Sequence, residues 1–224
     1  MRLHITMYDL KEKDYFSNIR RDLIEEIPFG PHIVLEVGCG QGETGAALKK
    51  EGRAFWVTGI ELVDDAAQCA NKILDQVIIG NIEHIELPFS QGQFDVVILG
   101  DVLEHLVDPW KQLKRLLQYV SPNGIVVASI PNVRNWRVVV PLLVAGEWEY
   151  KDSGILDKTH LRFFTKKSIT KLFELNNLRI KKIIPIGRRS KIVARLRVGF
   201  LSELITPQYL IVGIYDSIKW VSNN

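Results

Sequence analysis

The chain has 224 residues, 46% hydrophobic and 25% charged, with 29 Lys+Arg against 26 Asp+Glu, which excludes a disordered or fibrous protein and leaves one domain over 1–224 as the expectation. A net charge of +3 is too small to argue for nucleic acid, and two cysteines, Cys39 and Cys69, are too few for a disulfide framework or a structural zinc site. Arg2, His4 and Asp9 break the start and Pro141 interrupts the apolar run 138–145, so neither a signal peptide nor a spanning helix of ~18 residues is expected, and a reducing cytoplasm fits best.

Tyr15, Phe16, Ile19, Leu23, Ile24 and Ile27 fall at helical spacing and predict a helix over 15–27, stopped by Pro28-Phe29-Gly30-Pro31. Short apolar runs then alternate with helical segments: strand 33–37, helix 43–50, strand 55–60, helix 64–74, strands 76–79 and 94–99. Trp110, Leu113, Leu116, Leu117 and Val120 mark a further helix, and the Ser121-Pro122-Asn123-Gly124 turn leads into a strand over 125–130. Such alternation implies parallel strands joined by right-handed crossovers, a doubly wound α/β sheet with ligands beyond the carboxyl ends of its strands. Past Pro131 the rhythm gives way to an irregular insertion over 131–165, followed by a helix over 166–175 and strands 178–186 and 208–215. Between those strands, a basic insertion over 187–207 carries Arg188, Arg189, Lys191, Arg195 and Arg197 among Ile192, Val193, Leu196 and Phe200. It reads most simply as a solvated helical insertion; a basic helix over 188–204, making weak contact with an anionic acceptor or membrane surface, is the alternative.

The most informative stretch is Val34-Leu35-Glu36-Val37-Gly38-Cys39-Gly40-Gln41-Gly42, an apolar strand that ends in glycines and runs into a helix. Glycine there allows positive φ and close approach of the backbone to a ligand, and the helix offers its first N–H groups. A cofactor site follows. Gly40-Gln41-Gly42-Glu43-Thr44-Gly45 also satisfies the dinucleotide fingerprint. Two features pull away from a nicotinamide: the glycines begin before that fingerprint, and Glu36 would be costly in an apolar strand unless it served a cationic ligand or loop N–H groups.

The stretch Glu36-Val37-Gly38-Cys39-Gly40-Gln41-Gly42 resembles the first motif of the class I S-adenosylmethionine-dependent methyltransferases. The resemblance implies a Rossmann-like, mostly parallel seven-stranded sheet, a cofactor-binding core over 14–130 and an acceptor side over 131–165. It implies that Glu36, Gly38, Cys39, Gly40 and Gly42 surround the methionine part of S-adenosylmethionine and that Tyr15 lies near its end. Glu61, with Leu62 beside it, stands where the family's acid binds both ribose hydroxyls, a role one carboxylate can fill. Asn81 and Ile82 stand at the adenine position, and Gly100 and Asp101 under the transferring methyl. Asp95, in Phe94-Asp95-Val96-Val97-Ile98-Leu99, looks like the fourth-strand motif.

Methyl transfer to a hydroxyl asks for positioning and a base. Asp101, Glu104 and His105 stand at i, i+3, i+4, a spacing that puts all three on one helical face just after the fourth strand. His105 leads as general base and His160 is the second candidate. Asp101-x-x-Glu104-His105 also resembles the E-x-x-E-H motif of ubiquinone-pathway and small-RNA terminal 2′-O-methyltransferases, which implies a divalent cation. Here the first acid is an aspartate and no second histidine follows, so no metal is assigned. Trp136, Trp148 and Tyr150 could form a stacking wall for a ring or pack as the core of the insertion. His4, His32 and His84 have no companions. The expectation is methyl transfer to oxygen of a small-molecule or glycan acceptor, similar to bacterial surface-glycan or quinone-pathway enzymes. The alternatives are an NAD(P)-dependent oxidoreductase or epimerase, for which no Tyr-x-x-x-Lys pair is present, and a non-catalytic cofactor-binding subunit.

Overall fold

The computed structural model describes residues 18–187 and 199–216, with side chains in the second part from 202 onward. In chain order the elements are α1 (Arg21–Ile24), β1 (Ile33–Val37), α2 (Glu43–Lys50), β2 (Trp56–Glu61), α3 (Asp64–Ala70), β3 (Gln76–Ile79) and β4 (Phe94–Gly100). A single 3-10 turn (Leu103–His105) precedes α4 (Pro109–Leu117), β5 (Val120–Pro131), α5 (Trp136–Ala145), α6 (Lys166–Leu175), β6 (Leu178–Ile186), α7 (Gly199–Ile205) and β7 (Gln208–Tyr215). The strands form one seven-stranded sheet in the order β3-β2-β1-β4-β5-β7-β6. All neighbours are parallel except β7, which runs antiparallel to β5 and β6.

Helices on both faces explain why the strands read as continuous apolar runs and not as alternating ones. Alternate side chains enter two cores: Leu35, Val37, Val97 and Leu99 belong to one, Val34, Val96 and Ile98 to the other. Glu36 therefore points to the same side as Val34, toward α1 and α2. The strand order reverses between β1 and β4, and at such a switch point the loops diverge and leave a crevice. Among the described residues no helix is long and apolar enough to cross a membrane.

Several elements depart from their expected bounds. The helix expected over 64–74 is shorter, and the strand expected over 125–130 is the end of β5, which starts at Val120 and absorbs the turn through a register shift between Phe94 and Val96. Of the helix expected over 15–27, residues 18–27 are described and only α1 among them is α-helical, with a turn over 25–27; Tyr15 and most of the basic stretch, 188–198, lie outside the described residues. The insertion 131–165 is not irregular throughout, because it holds α5. Three consecutive valines and Pro141 disfavour a helix on propensity. Its ends prevail: Asn135 caps it by accepting from the Arg137 N–H at 3.1 Å, and Gly146 closes it at φ 67°.

Candidate functional site

A cavity of about 600 Å³ opens at the carboxyl ends of β1, β2 and β4. Its floor is the glycine loop. Gly38 turns at φ 69°, where a Cβ would meet Val102 Cγ2 at 2.8 Å. The Gly38 and Cys39 N–H groups donate to the Ile60 carbonyl at 2.7 and 3.2 Å, and the Gly40 N–H donates to Glu61 Oε2 at 2.8 Å. Glu61 Oε1 accepts from the Leu62 and Val63 N–H groups at 2.8 and 2.9 Å. One carboxylate thus clasps the ends of two neighbouring strands. Burial raises the Glu61 pKa, and the Val63, Gly40 and Leu62 N–H groups oppose the rise.

Gly38, Cys39, Gly40, Glu36, Glu61, Leu62, Asn81, Ile82, Gly100 and Asp101 all line the cavity. Gly42 does not. It opens α2 at φ 87°, where a Cβ would press on Leu74 and Ala70 at 3.0 and 3.2 Å, so packing against α3 is what requires glycine. Cys39 turns its buried sulfur toward Gly59, and burial together with Glu36 and Glu61 pushes its thiol pKa up, leaving it unreactive. Asn81 keeps its Oδ1 partly engaged with the Glu83 N–H at 2.9 Å. Arg115 donates to the Ile82 carbonyl at 2.8 Å, fixing this side of the cavity from α4.

Glu36 is buried, and among the described residues its Oε2 has no hydrogen-bond partner. Burial pushes its carboxyl up to about 8, reinforced by Glu61 and opposed by the Gly45 N–H and Arg20. The sign follows from linkage. The folded chain holds this proton more tightly than the unfolded chain does, so the contribution to stability is complete below the ordinary 4.5 and is lost as pH rises through about 8. Glu36→Gln should therefore gain melting temperature over the parent as pH moves from 6 to 9. Melting curves across that range check it, and a gap that does not widen removes Glu36 as a buried titrating acid.

Arg20, just before α1, also lines the cavity. Its guanidinium pairs with Asp101 and with Asp22, the latter at 2.8 Å. Burial opposes its charge, but those carboxylates hold it firmly protonated. Asp101 departs from expectation as well. It sits at φ 55° immediately after β4, so the i, i+3, i+4 face does not form. Only Leu103–His105 makes a 3-10 turn. Asp101 also accepts from the Ser129 hydroxyl at 3.1 Å and from Gln208, on the antiparallel β7. The positive φ swings it out of line with the turn that carries Glu104 and His105.

What joins Glu104 and His105 is His160. The Glu104 carbonyl accepts from the Leu161 and Arg162 N–H groups at 2.8 and 2.9 Å, which docks the insertion onto the 3-10 turn. The two imidazoles then meet edge to face, centroids 4.7 Å apart. His105 Nδ1 lies 3.1 Å from the Thr159 carbonyl and His160 Nδ1 lies 2.9 Å from the Ile155 carbonyl. A carbonyl only accepts, so each Nδ1 carries a hydrogen, and in the neutral ring the basic lone pair is on Nε2. Glu104 is buried beside them, with no hydrogen-bond partner for either carboxylate oxygen among the described residues, and burial followed by the charge of Asp101 raises its pKa well above the usual range. One ligand atom from each of the three residues falls within 4.8 Å of the others. His105 lines the cavity; Glu104 and His160 stand behind it.

The expected aromatic wall is only partly assembled. Trp148 meets Phe163 edge to face at 5.1 Å and Tyr150 lies 6.2 Å from the same ring, whereas Trp136 is exposed beneath the Arg137 guanidinium. Asn132 is buried as a brace, donating to the Glu203 and Thr206 carbonyls at 2.8 Å each. Asp95 lies at the opposite end of β4 and accepts from the Ile33 N–H at 2.9 Å, a structural role. His84 and Glu83, by contrast, line the cavity. In the sequence nothing but their place just after Asn81-Ile82 marks them.

A family profile described as a methyltransferase domain matches residues 11–183. The chain belongs to the methyltransferase family. This methyltransferase is 29% identical over 164 residues to the Ubiquinone biosynthesis O-methyltransferase of Coxiella burnetii, covering 70% of this chain and 67% of that one. It is 25% identical over 198 residues to the protein of the same description from Aeromonas salmonicida, covering 81% and 79%. Its fold is similar to a SAM dependent methyltransferase from Archaeoglobus fulgidus, with TM-score 0.63, 18% identity and coverage of 91% and 94%. The chain is an S-adenosylmethionine-dependent methyltransferase of class I, which decides against the oxidoreductase alternative.

Proposed function

We propose that this methyltransferase binds S-adenosylmethionine between β1 and β4 and methylates a hydroxyl of a small-molecule or glycan acceptor that enters from the side of 131–165. The residues fit the donor. An enclosed carboxylate with an unpartnered oxygen, Glu36, suits a cationic ligand. Glu61 retains lone pairs beyond its three N–H contacts for a vicinal diol. Arg20 is a cation placed to meet the donor's carboxylate. When bound, the donor supplies an electrophilic methyl on a sulfonium. The protein then has to orient the acceptor and accept its proton.

The observation that carries transfer to oxygen is the pairing of His105 with His160, both held with Nδ1 protonated so that Nε2 can take a hydroxyl proton. The description of the relatives as O-methyltransferases acting in ubiquinone biosynthesis supports the same reading and favours an acceptor of that kind. Calorimetry tests the donor: S-adenosylmethionine and its demethylated product should bind and NAD should not compete, and the reverse ranking overturns the reading.

A second reading rests on the unpartnered Glu104 oxygens. Glu104, His105 and His160 would hold a divalent cation, and the ion would polarise the acceptor oxygen. Asp101, committed to Arg20, Ser129 and Gln208, takes no part.

A further inference from the structure

The turn that delivers His160 contains a buried carboxylate that the proton transfer itself does not use. Residues 151–158 close on themselves through the backbone: the Lys151 N–H donates to the Leu156 carbonyl at 2.8 Å, the Lys158 N–H to the Lys151 carbonyl at 2.9 Å and the Asp157 N–H to the Gly154 carbonyl at 3.2 Å. Within this turn Asp157 and Thr159 are only 4% and 2% exposed. A carboxylate taken out of water is costly unless hydrogen bonds replace its solvent. Asp157 Oδ1 accepts from the Thr159 N–H at 2.9 Å and from the Thr159 hydroxyl at 2.7 Å.

Both bonds fall on the residue whose carbonyl meets His105 Nδ1, at 3.1 Å. The peptide that joins Thr159 to His160 is held at its other end as well, because the His160 N–H donates to the Asp157 carbonyl at 3.0 Å. A trans peptide carries its N–H and C=O on opposite sides. With the N–H turned back to Asp157, the Thr159 carbonyl faces outward to the 3-10 turn that bears His105. The His160 ring is fixed from elsewhere, its Nδ1 lying 2.9 Å from the Ile155 carbonyl, a contact that asks nothing of the Asp157 side chain. Asp157 is not among the residues that line the cavity.

We propose that Asp157 is a positioning residue for methyl transfer: through Thr159 it aims the carbonyl that keeps the hydrogen on His105 Nδ1 and leaves the lone pair on Nε2. This deepens the reading of His105 as proton acceptor and rests on it. Which ring nitrogen carries the hydrogen is set by the hydrogen bond that the other atoms allow. Without a fixed acceptor at Nδ1, the hydrogen is free to move to Nε2, and the atom meant to take the hydroxyl proton is then already occupied.

The test is nitrogen-15 NMR of the histidine rings in the 224-residue chain, with chelator present and at about pH 8, where an ordinary imidazole is neutral. The His105 and His160 signals are assigned by their loss in His105→Gln and His160→Gln. The parent is expected to carry the hydrogen on Nδ1 in both rings. Asp157→Ala is expected to move His105 toward the Nε2–H form while His160 stays as in the parent, and to cut kcat on catechol by about 10–100-fold with donor affinity unchanged. Asp157→Asn, which retains an acceptor oxygen, should restore both readouts. If Asp157→Ala does not fold, Thr159→Val, which removes only the hydroxyl, is read in its place. An unmoved His105 overturns the proposal, and so does an equal change in both rings, because the turn would then be collapsing as a whole. The ring nitrogens decide this whether or not catechol is turned over. A His105 that changes form while kcat holds upholds the grip of Asp157 on the ring and overturns the assignment of His105 as the base.

Discussion

Replacing His105 or His160 with alanine is expected to cut turnover on a hydroxyl acceptor by about 10²–10⁴-fold while leaving donor affinity nearly unchanged. The reasoning is geometric. His105 is on the cavity wall and His160 behind it, 4.7 Å away between ring centroids, so each loss removes or misaims the proton acceptor without touching the glycine loop. Because the rings act as one unit, the double variant should lose little more than either single one. Turnover and calorimetry on the three variants check this, and full activity in both single variants removes the pair from catalysis. The same variants separate base from cation. Chelator sensitivity that magnesium or manganese reverses in the parent, and that vanishes with Glu104→Gln, would assign the trio to a metal.

Glu61→Ala should weaken donor binding by roughly 10–100-fold, about 1–3 kcal/mol, through lost hydroxyl contacts. It should also lower the melting temperature, since the Gly40, Leu62 and Val63 N–H groups all lose their acceptor. The second effect complicates the first, so affinity is to be measured well below the melt and compared with Glu61→Gln, which retains an acceptor oxygen for the loop. Unchanged affinity in both variants would confine Glu61 to clasping the loops. A drop in affinity for the glutamine variant, with little change in melting, would show that the carboxylate meets the donor itself.

The strands and the glycine loop were legible because their causes are local. Valine- and isoleucine-rich runs such as 33–37 and 94–99 have few other homes than a doubly covered sheet, and a strand ending in Gly38-Cys39-Gly40 calls for a turn that side chains would obstruct. Helix α5 was missed because the valines and Pro141 argue against it, while its stabilising cap lies outside the apolar run. Gly42 belonged to the motif in sequence, yet its neighbours Ala70 and Leu74 come from another helix and show that its purpose is packing.

The sequence by itself determined the fold class, the glycine turn and the candidacy of Glu36, Glu61, His105 and His160, because residue type and spacing limit what a backbone can do over a few residues. Only the tertiary structure decided which candidates meet. It turned Asp101 aside to Arg20 and Gln208, brought His160 against His105 and left α5 uncovered. Those outcomes depend on crossovers that bring distant segments into contact, and no local pattern encodes the meeting of two side chains whose positions are set by separate strands and insertions.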